Sequence, residues 1–425
     1  MTTNLNSGTL KRSCAAIILS IASASVMHST ALAKEPKSHR EVYRWSTNLA
    51  VAPPESGKQR GETALTTDSQ DRVWLSYLDA DYKLLPNGKW IAWPRKVVLL
   101  DSQDQGMSFA NARILSGMGG DEALAADDRG NIYASWVQYS YDEIHRLNQK
   151  IVFQSLGLNA GKNPVECLLW DSNVSHDQSD ILIADDGVIH ILGTDINPKS
   201  RGKPGLLYAK SVDGGKACTG LQRLDNVGQL PQLASTREGL FIVGPFGYLV
   251  SRNNGNSFTP LNKRSFGDKL ARLAVSPDRK EVYVVGDSLQ NGLLIHATND
   301  GGNTWRTSRI DTATTATSWR YPAVHVDARG RIHVVWMDDR NGYGAVYHAY
   351  SDDQAKTFSD NSRVSDKNFS FPGSAPPPPP ATQEGTWIGD YLSITTVHGK
   401  VVVAWSDQRS GAPQSAVYVS VGALK

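Results

Sequence analysis

Hydrophobic and polar positions alternate along this chain in short runs, and the runs come in pairs. Each pair is an alternating segment, a polar turn rich in Asp and Gly, and then a more continuous apolar segment. This is a hairpin pattern, with a half-buried strand followed by a fully buried one. Seven pairs succeed one another. Ala64 to Tyr77 turns at Asp68–Asp71, Ala123 to Trp136 at Asp127–Gly130, and Ile181 to Leu192 at Asp185–Gly187. Leu233 to Val243 and Leu273 to Val285 follow. Ala323 to Trp336 turns at Asp327–Gly330, and Leu392 to Trp405 at His398–Gly399. No stretch keeps an apolar helical period over three turns, so the chain is predicted to be all-β.

After each of the first six hairpins comes a third strand-like run, as at Lys96–Leu100, Leu206–Lys210 and Ala345–Tyr350. A short phrase closes the unit. It is Ser102-x-Asp104-x-Gly106-x-Ser108-Phe109, and it returns as Thr298-x-Asp300-x-Gly302-x-Thr304-Trp305. Looser copies lie at Ser211–Gly215, Ser251–Phe258 and Ser351–Phe358, with a degenerate one around Ser155 to Gly161. The phrase suits a tight turn, because Asp and Ser bond nearby N–H groups and Gly supplies positive φ. A repeat about every fifty residues marks an array of supersecondary units. The seventh unit ends on its third strand, Ala416–Val421, and Glu41 to Val51 has no partner of its own, so that segment is expected to close the ring. The predicted architecture is a β-propeller of four-stranded blades, seven by this count with six the alternative.

The phrase resembles the Asp-box, or bacterial neuraminidase repeat, of the sialidase superfamily. The resemblance covers the chain beyond its first residues and implies a structural turn on the face away from the active site. It also implies glycosidase chemistry in which three arginines hold a substrate carboxylate, a Glu-activated Tyr is the nucleophile, and an Asp is the acid/base. Carried over residue by residue, Arg320, Arg340 and Arg409 would form the basic cluster and Tyr391 would be the Tyr. The family's Phe-Arg-Ile-Pro motif is missing, with Arg60 at a comparable place. Asp121, Glu122 and Asp180 all stand as candidates for the acid.

Other candidates come from the chain itself. Trp336-x-Asp338-x-Arg340-x-Gly342 and Trp405-x-Asp407-x-Arg409-x-Gly411 occupy the same place in two successive units. Each Arg fork either staples its own loop through its Asp or presents to an anion. Trp319-Arg320-Tyr321 and Trp387-Ile-Gly-Asp390-Tyr391 lead into blades six and seven, and Asp121-Glu122 into blade two. Asp390 and Tyr391 form a carboxylate–phenol pair, and Trp319, Trp387 and Tyr343 are suited to stacking on sugars. His190 and His333 sit within apolar strands and are expected to be buried. A uronate lyase built from His, Tyr and Arg, and a propeller that only binds glycan or protein, are the alternative functions.

Composition narrows the partners. Lys11 and Arg12, the apolar run Ala15 to Val26 and the Ala31-Leu32-Ala33 site make residues 1–33 an expected export signal, leaving 34–425 as one domain in a periplasm or the medium. The chain holds 44 Lys+Arg and 42 Asp+Glu, and without Lys11 and Arg12 the two are equal. That balance argues against nucleic acid and anionic membrane. A monomer acting on a glycan is expected, with no metal, no cofactor and no membrane span. Cys167 and Cys218 remain after the leader. An oxidising compartment permits a bridge, whereas their expected positions on outer strands of neighbouring blades set their Cα separation against one.

Overall fold

The computed structural model describes residues 42–84, 90–139, 149–156, 165–168, 176–195, 205–288, 292–314, 316, 319–370, 388–411 and 414–424. The expected leader, Trp387, Tyr141, His145 and the run Pro376 to Pro380 lie outside them. Glu41–Lys425 form one compact unit.

The strands of that unit fall into seven antiparallel sheets, each laid out in chain order from its first strand outward. The first strands are Lys58–Thr67, Gly119–Ala126, His176–Ile183, Gln232–Thr236, Ala271–Val275, Trp319–Val326 and Ser393–Val397. Each touches the first strand of the next sheet, and Ser393–Val397 touches Lys58–Thr67, so the seven close a ring. This is a seven-bladed propeller, and the six-bladed alternative is set aside. The last blade is completed from the other end of the chain: Tyr43–Trp45 and Leu49–Ala52 both pair with Ala416–Leu424, with Tyr43 opposite Leu424 and Leu49 opposite Val419. Ring closure removes the sheet edges that an open array would expose.

The core lies between blades. Tyr283, Ile295, Trp336 and Tyr347 pack across blades five and six, and Val335, Tyr350, Trp405 and Tyr418 across six and seven. Leu75, Val98, Val402 and Val419 join blade seven back to blade one. Trp136, Trp336 and Trp405 are fully buried at equivalent places in three second strands. Burying each such side chain contributes about 3 kcal/mol.

Antiparallel order sends the first-to-second and third-to-fourth turns to one face. The repeated phrase is one of these. Thr298 Oγ1 donates to Asp300, which accepts the Thr304 N–H at 2.9 Å and the Thr304 hydroxyl at 2.6 Å, while the Gly302 N–H donates to Thr298 Oγ1 at 3.1 Å. Each turn leans on the preceding blade. At Gly255, whose φ is 74°, a Cβ would sit 1.7 Å from the Tyr208 hydroxyl, so only Gly fits.

That lean corrects the expectation for the cysteines. Cys167 and Cys218 form a disulfide with Cα atoms 5.2 Å apart. Cys167 lies on the outer strand of blade two, Val165–Leu168, and Cys218 in the turn of blade three that packs on Phe153 of blade two. The overlap of turn and preceding blade brings the two outer edges within bonding range.

Candidate active site

The opposite face carries the second-to-third loops and the starts of the inner strands. Four inner strands begin with an irregularity. Pairing slips between Gly61 and Ala64, Gly120 and Ala123, Asp177 and Ser179, and Arg320 and Ala323. At these places Glu62, Asp121, Gln178 and Tyr321 take φ of 54°, 56°, 55° and 52°. A bulge re-aims side chains, and a left-handed non-Gly residue costs about 1–2 kcal/mol. Four such residues at one end of one ring are the kind of strain that gathers at functional sites.

Two adjoining cavities lie there. One, of about 160 Å³, is lined by Asp121, Glu122, Asp180, Arg272 and Tyr391. The other, of about 240 Å³, shares Gln178 and Leu230 with it and adds Asp177, Asp287, Arg320, Tyr321 and Asp390. All seven blades contribute.

Glu62, Asp121 and Glu122 at this mouth are deeply buried, and Asp180 is half-buried. Asp121 is 7% exposed, and burial followed by the charge of Asp177 pushes it up to about 7, with Arg95 pulling the other way. Its carboxyl also hydrogen-bonds Asp177 and accepts from the Tyr139 hydroxyl at 3.3 Å. Burial likewise raises Asp180 to about 7, although it accepts the Leu233 N–H at 2.6 Å and faces Arg272. Glu62 is held well above the carboxylate range by burial, then by Asp121 and Asp390, with Arg95 opposing. Glu122 is raised in the same way by burial, with its own backbone N–H opposing; no other residue donates to its carboxylate oxygens, which are shielded from solvent. Such a group stays neutral until something pairs with it.

Tyr391 stands among them. Its hydroxyl donates to the Glu122 carbonyl at 3.4 Å, and the Arg272 guanidinium lies 5.4 Å from its ring centre. Burial, then Glu122, Glu62 and Asp121, raise the phenol well above 10. Arg272 itself donates to the Leu230 carbonyl at 3.2 Å.

Of the residues singled out in the sequence, Asp121, Glu122, Asp180 and Tyr391 line the first cavity, and Arg320 and Asp390 the second. The Trp-x-Asp-x-Arg-x-Gly pairs are elsewhere. Arg340 Nε donates to Asp338 at 2.9 Å, Trp336 Nε1 donates to the same carboxylate at 2.8 Å, and Arg340 stacks 3.8 Å from the Tyr347 ring centre. Its Nη1 reaches Asn361, beside the outer strand of its own blade. Arg409 does the same with Asp407, Trp405 and Tyr418, and its Nη1 reaches Asp366 and Asn48, which ties down the closing N-terminal segment. The clamp of Arg320, Arg340 and Arg409 is therefore not assembled: two of its members are spent inside their blades, and Asp338 and Asp407 are their fully buried counterions. Arg60 is held similarly by Asp79 and Glu55. Trp319 is 4% exposed in the core between blades five and six, and Tyr343 is exposed and lines neither cavity. Trp387 lies outside the described residues. His190 and His333 are buried as expected.

Glu62, Arg95, Asp177 and Arg272 were missed by the sequence pattern. One signal for the acids was present. Gly61-Glu62, Gly120-Asp121 and Gly389-Asp390 open three inner strands with the same Gly–acid pair. Gly389, at φ 88°, approaches so closely that a Cβ would lie 2.6 Å from the Glu62 nitrogen.

No family model matches the chain, and no curated relative does. Solved structures match its shape. The Hadza microbial sialidase Hz136 aligns at 14% identity with a TM-score of 0.51, over 69% of this chain and 66% of that one. A protein of unknown function from Dyadobacter fermentans aligns at 11% identity and 0.55, over 90% and 99%. The Penicillium chrysogenum alpha-L-arabinanase complexed with arabinobiose aligns at 10% and 0.50, over 89% and 98%. These matches share the propeller fold. At these identities the likeness fixes the architecture, and the chemistry rests on the side chains at the mouth. Among the described residues no group of three or more His, Cys, Asp or Glu is arranged to hold a metal, and no helix is long and apolar enough to cross a membrane.

Proposed function

We propose that this protein is an exported glycosidase that removes a terminal sugar at the mouth of the propeller axis. The observation that carries the reading is the gathering of Asp121, Glu122, Asp180 and Tyr391 around one cavity of about 160 Å³, too small for more than about one sugar unit to enter fully. Asp121, neutral up to about pH 7, is the proton donor to the glycosidic oxygen as its bond to the anomeric carbon breaks. Tyr391 is the nucleophile. Its proton passes to Glu62 in the ionised form of that carboxyl, which Arg95 favours against the burial that otherwise keeps it neutral. Water, deprotonated by Asp121, then releases the sugar, and Glu62 returns the proton to the phenol.

The acidic-sugar form of this reading has less support. Its arginine clamp is missing, and the mouth is richer in carboxyl groups than in cations. The lyase alternative is weakened as well, because among the described residues no histidine lines either cavity. The disulfide and the leader-like N-terminus support export.

A panel of aryl glycosides, including sialosides, arabinofuranosides and amino sugars, tests the reading. The expected result is release from at least one, reduced about 10²–10⁴-fold in Asp121→Asn and Tyr391→Phe with the melting curve retained. Glycan binding without release from any member would make the mouth a recognition site instead.

A further inference from the structure

The strand that closes the ring rests on histidines. Tyr43–Trp45 lies at the outer edge of blade seven, and its two aromatic rings turn toward blade six. The Tyr43 ring stands edge-on to His333 and His348, with ring centres 5.5 and 4.9 Å away, and the Trp45 ring lies 5.2 Å from His348. Both histidines are 1% exposed. They also touch each other, His333 Nδ1 lying 3.1 Å from His348 Nε2. His348 Nδ1 lies 3.4 Å from Ser362 Oγ, which accepts the Trp45 indole N–H at 3.1 Å. A third histidine, His325, meets the Thr396 hydroxyl of blade seven's inner strand through Nε2 at 3.0 Å.

Two ring nitrogens that face each other share one proton, so the contact survives only while at most one ring is charged. His333 can take the first added proton, because its Nε2 lies 3.8 Å from Asp327. His348 has no such partner, since the charges acting on it are His333 and Arg331. Arg331 already occupies the aromatic cage, with Nη1 3.5 Å from the Tyr43 hydroxyl and its guanidinium 4.4 Å from the Tyr350 ring centre. A second proton therefore sets two buried cations face to face beside a third.

We propose that Tyr43–Trp45 is an acid-released latch: protonation of the His333–His348 pair expels the strand that closes the ring and loosens the blade that carries Tyr391. The latch is independent of what the mouth binds. The charged and titratable groups facing the pair are Tyr43 on the latch, His325 and Asp327 on and after the inner strand of blade six, Arg329 and Arg331 in the following turn, and Tyr350 and Asp352 on and after its third strand. Asp327 and Asp352 favour charge on His333, but they are already paired with Arg329 and Arg331. Burial lowers His333 against that pull and, with His333 and Arg331 adding to it, holds His348 well below its ordinary range. Burial and His333 push His325 down to about 4.

Once released, each histidine returns to about 6.5. A folded value below the free one makes the latch fully stable above about pH 6.5, and its opening grows by up to about tenfold per histidine for each pH unit below that, until the folded value is reached. The axial Asp121 and Asp180 have the opposite sign, so acid opens the latch while it steadies the mouth.

Hydrogen exchange of the full chain, followed by mass spectrometry between about pH 7.5 and about pH 5 and corrected for the intrinsic rate, tests this. Over that interval the protection of residues 42–52 is expected to fall at least about tenfold more than that of Gly239–Gly244 in blade four. His348→Phe, which keeps a ring and takes no proton, is expected to hold the latch closed in acid. The pH series on the unaltered chain stands without that variant. A latch as protected in acid as at neutral pH would overturn the proposal, as would equal loss of protection in both segments. Acid opening undiminished in His348→Phe would overturn it too.

Discussion

Two sets of carboxyl groups in this protein have opposite environments. In the repeated turns and the Trp-x-Asp-x-Arg-x-Gly loops, every Asp is saturated with donors. The Thr304 hydroxyl and then its N–H hold Asp300 below the usual carboxylate range, and the Ser211 hydroxyl does so for Asp213. At the axis, Glu62, Asp121 and Glu122 are buried and Asp180 is half-buried, all with too few donors, and they are pushed up. A repeated acid in this chain is a fastener. The acids that can do chemistry are those that the strand starts leave under-satisfied.

The contrast can be broken at several points. The largest effect is expected from Asp407→Ala, which strands Arg409, 6% exposed at its side chain, and the Trp405 N–H. It should cost about 3–5 kcal/mol in urea unfolding, and an unchanged midpoint would refute the fastening role. Close behind comes pH. Asp121 and Asp180 have folded values raised to about 7, so the stability from their neutral forms is full below about pH 4 and is lost as pH rises through about 7. Asp180→Asn should flatten the fall across that window by on the order of 3 kcal/mol relative to the unaltered chain, measured by melting at each pH. Reduction of Cys167–Cys218, or both Cys→Ser changes, should cost about 2–4 kcal/mol, checked by melting with and without reductant. The smallest change is Asp300→Ala, about 1 kcal/mol, because its turn faces solvent on the far side of the ring.

The fold was legible because its signals are local. The alternating-then-apolar hairpins, the turn phrase and the unpaired Glu41 to Val51 each appear as strands or turns where the pattern places them. The disulfide was not legible, because it depends on one blade's turn resting on the preceding blade's edge. The mouth was legible only in part. Glu122, Arg320, Asp390 and Tyr391 were found from their position at blade starts. Glu62 and Asp177 were passed over because bulges break the period of two just where they stand, so the pattern reads from Ala64 and Ile181. Arg95 and Arg272 lie on strands where alternation treats a cation as a solvent-facing residue, yet the ring turns both inward among acids. The Trp-x-Asp-x-Arg-x-Gly repeat misled in the other direction. Its regularity marks a shared packing solution, with Arg over Tyr347 and Tyr418, and not a shared ligand.

The most direct measurement is a carbon-13 carboxyl titration of aspartate-labelled protein, assigned with Asp121→Asn, Asp180→Asn and Asp300→Ala. Two populations should separate: Asp121 and Asp180 changing near pH 7, and Asp300 below the ordinary range. If the axial pair titrated together with the turn aspartates, the mouth would hold no poised acid and the distinction between fasteners and chemistry would fall.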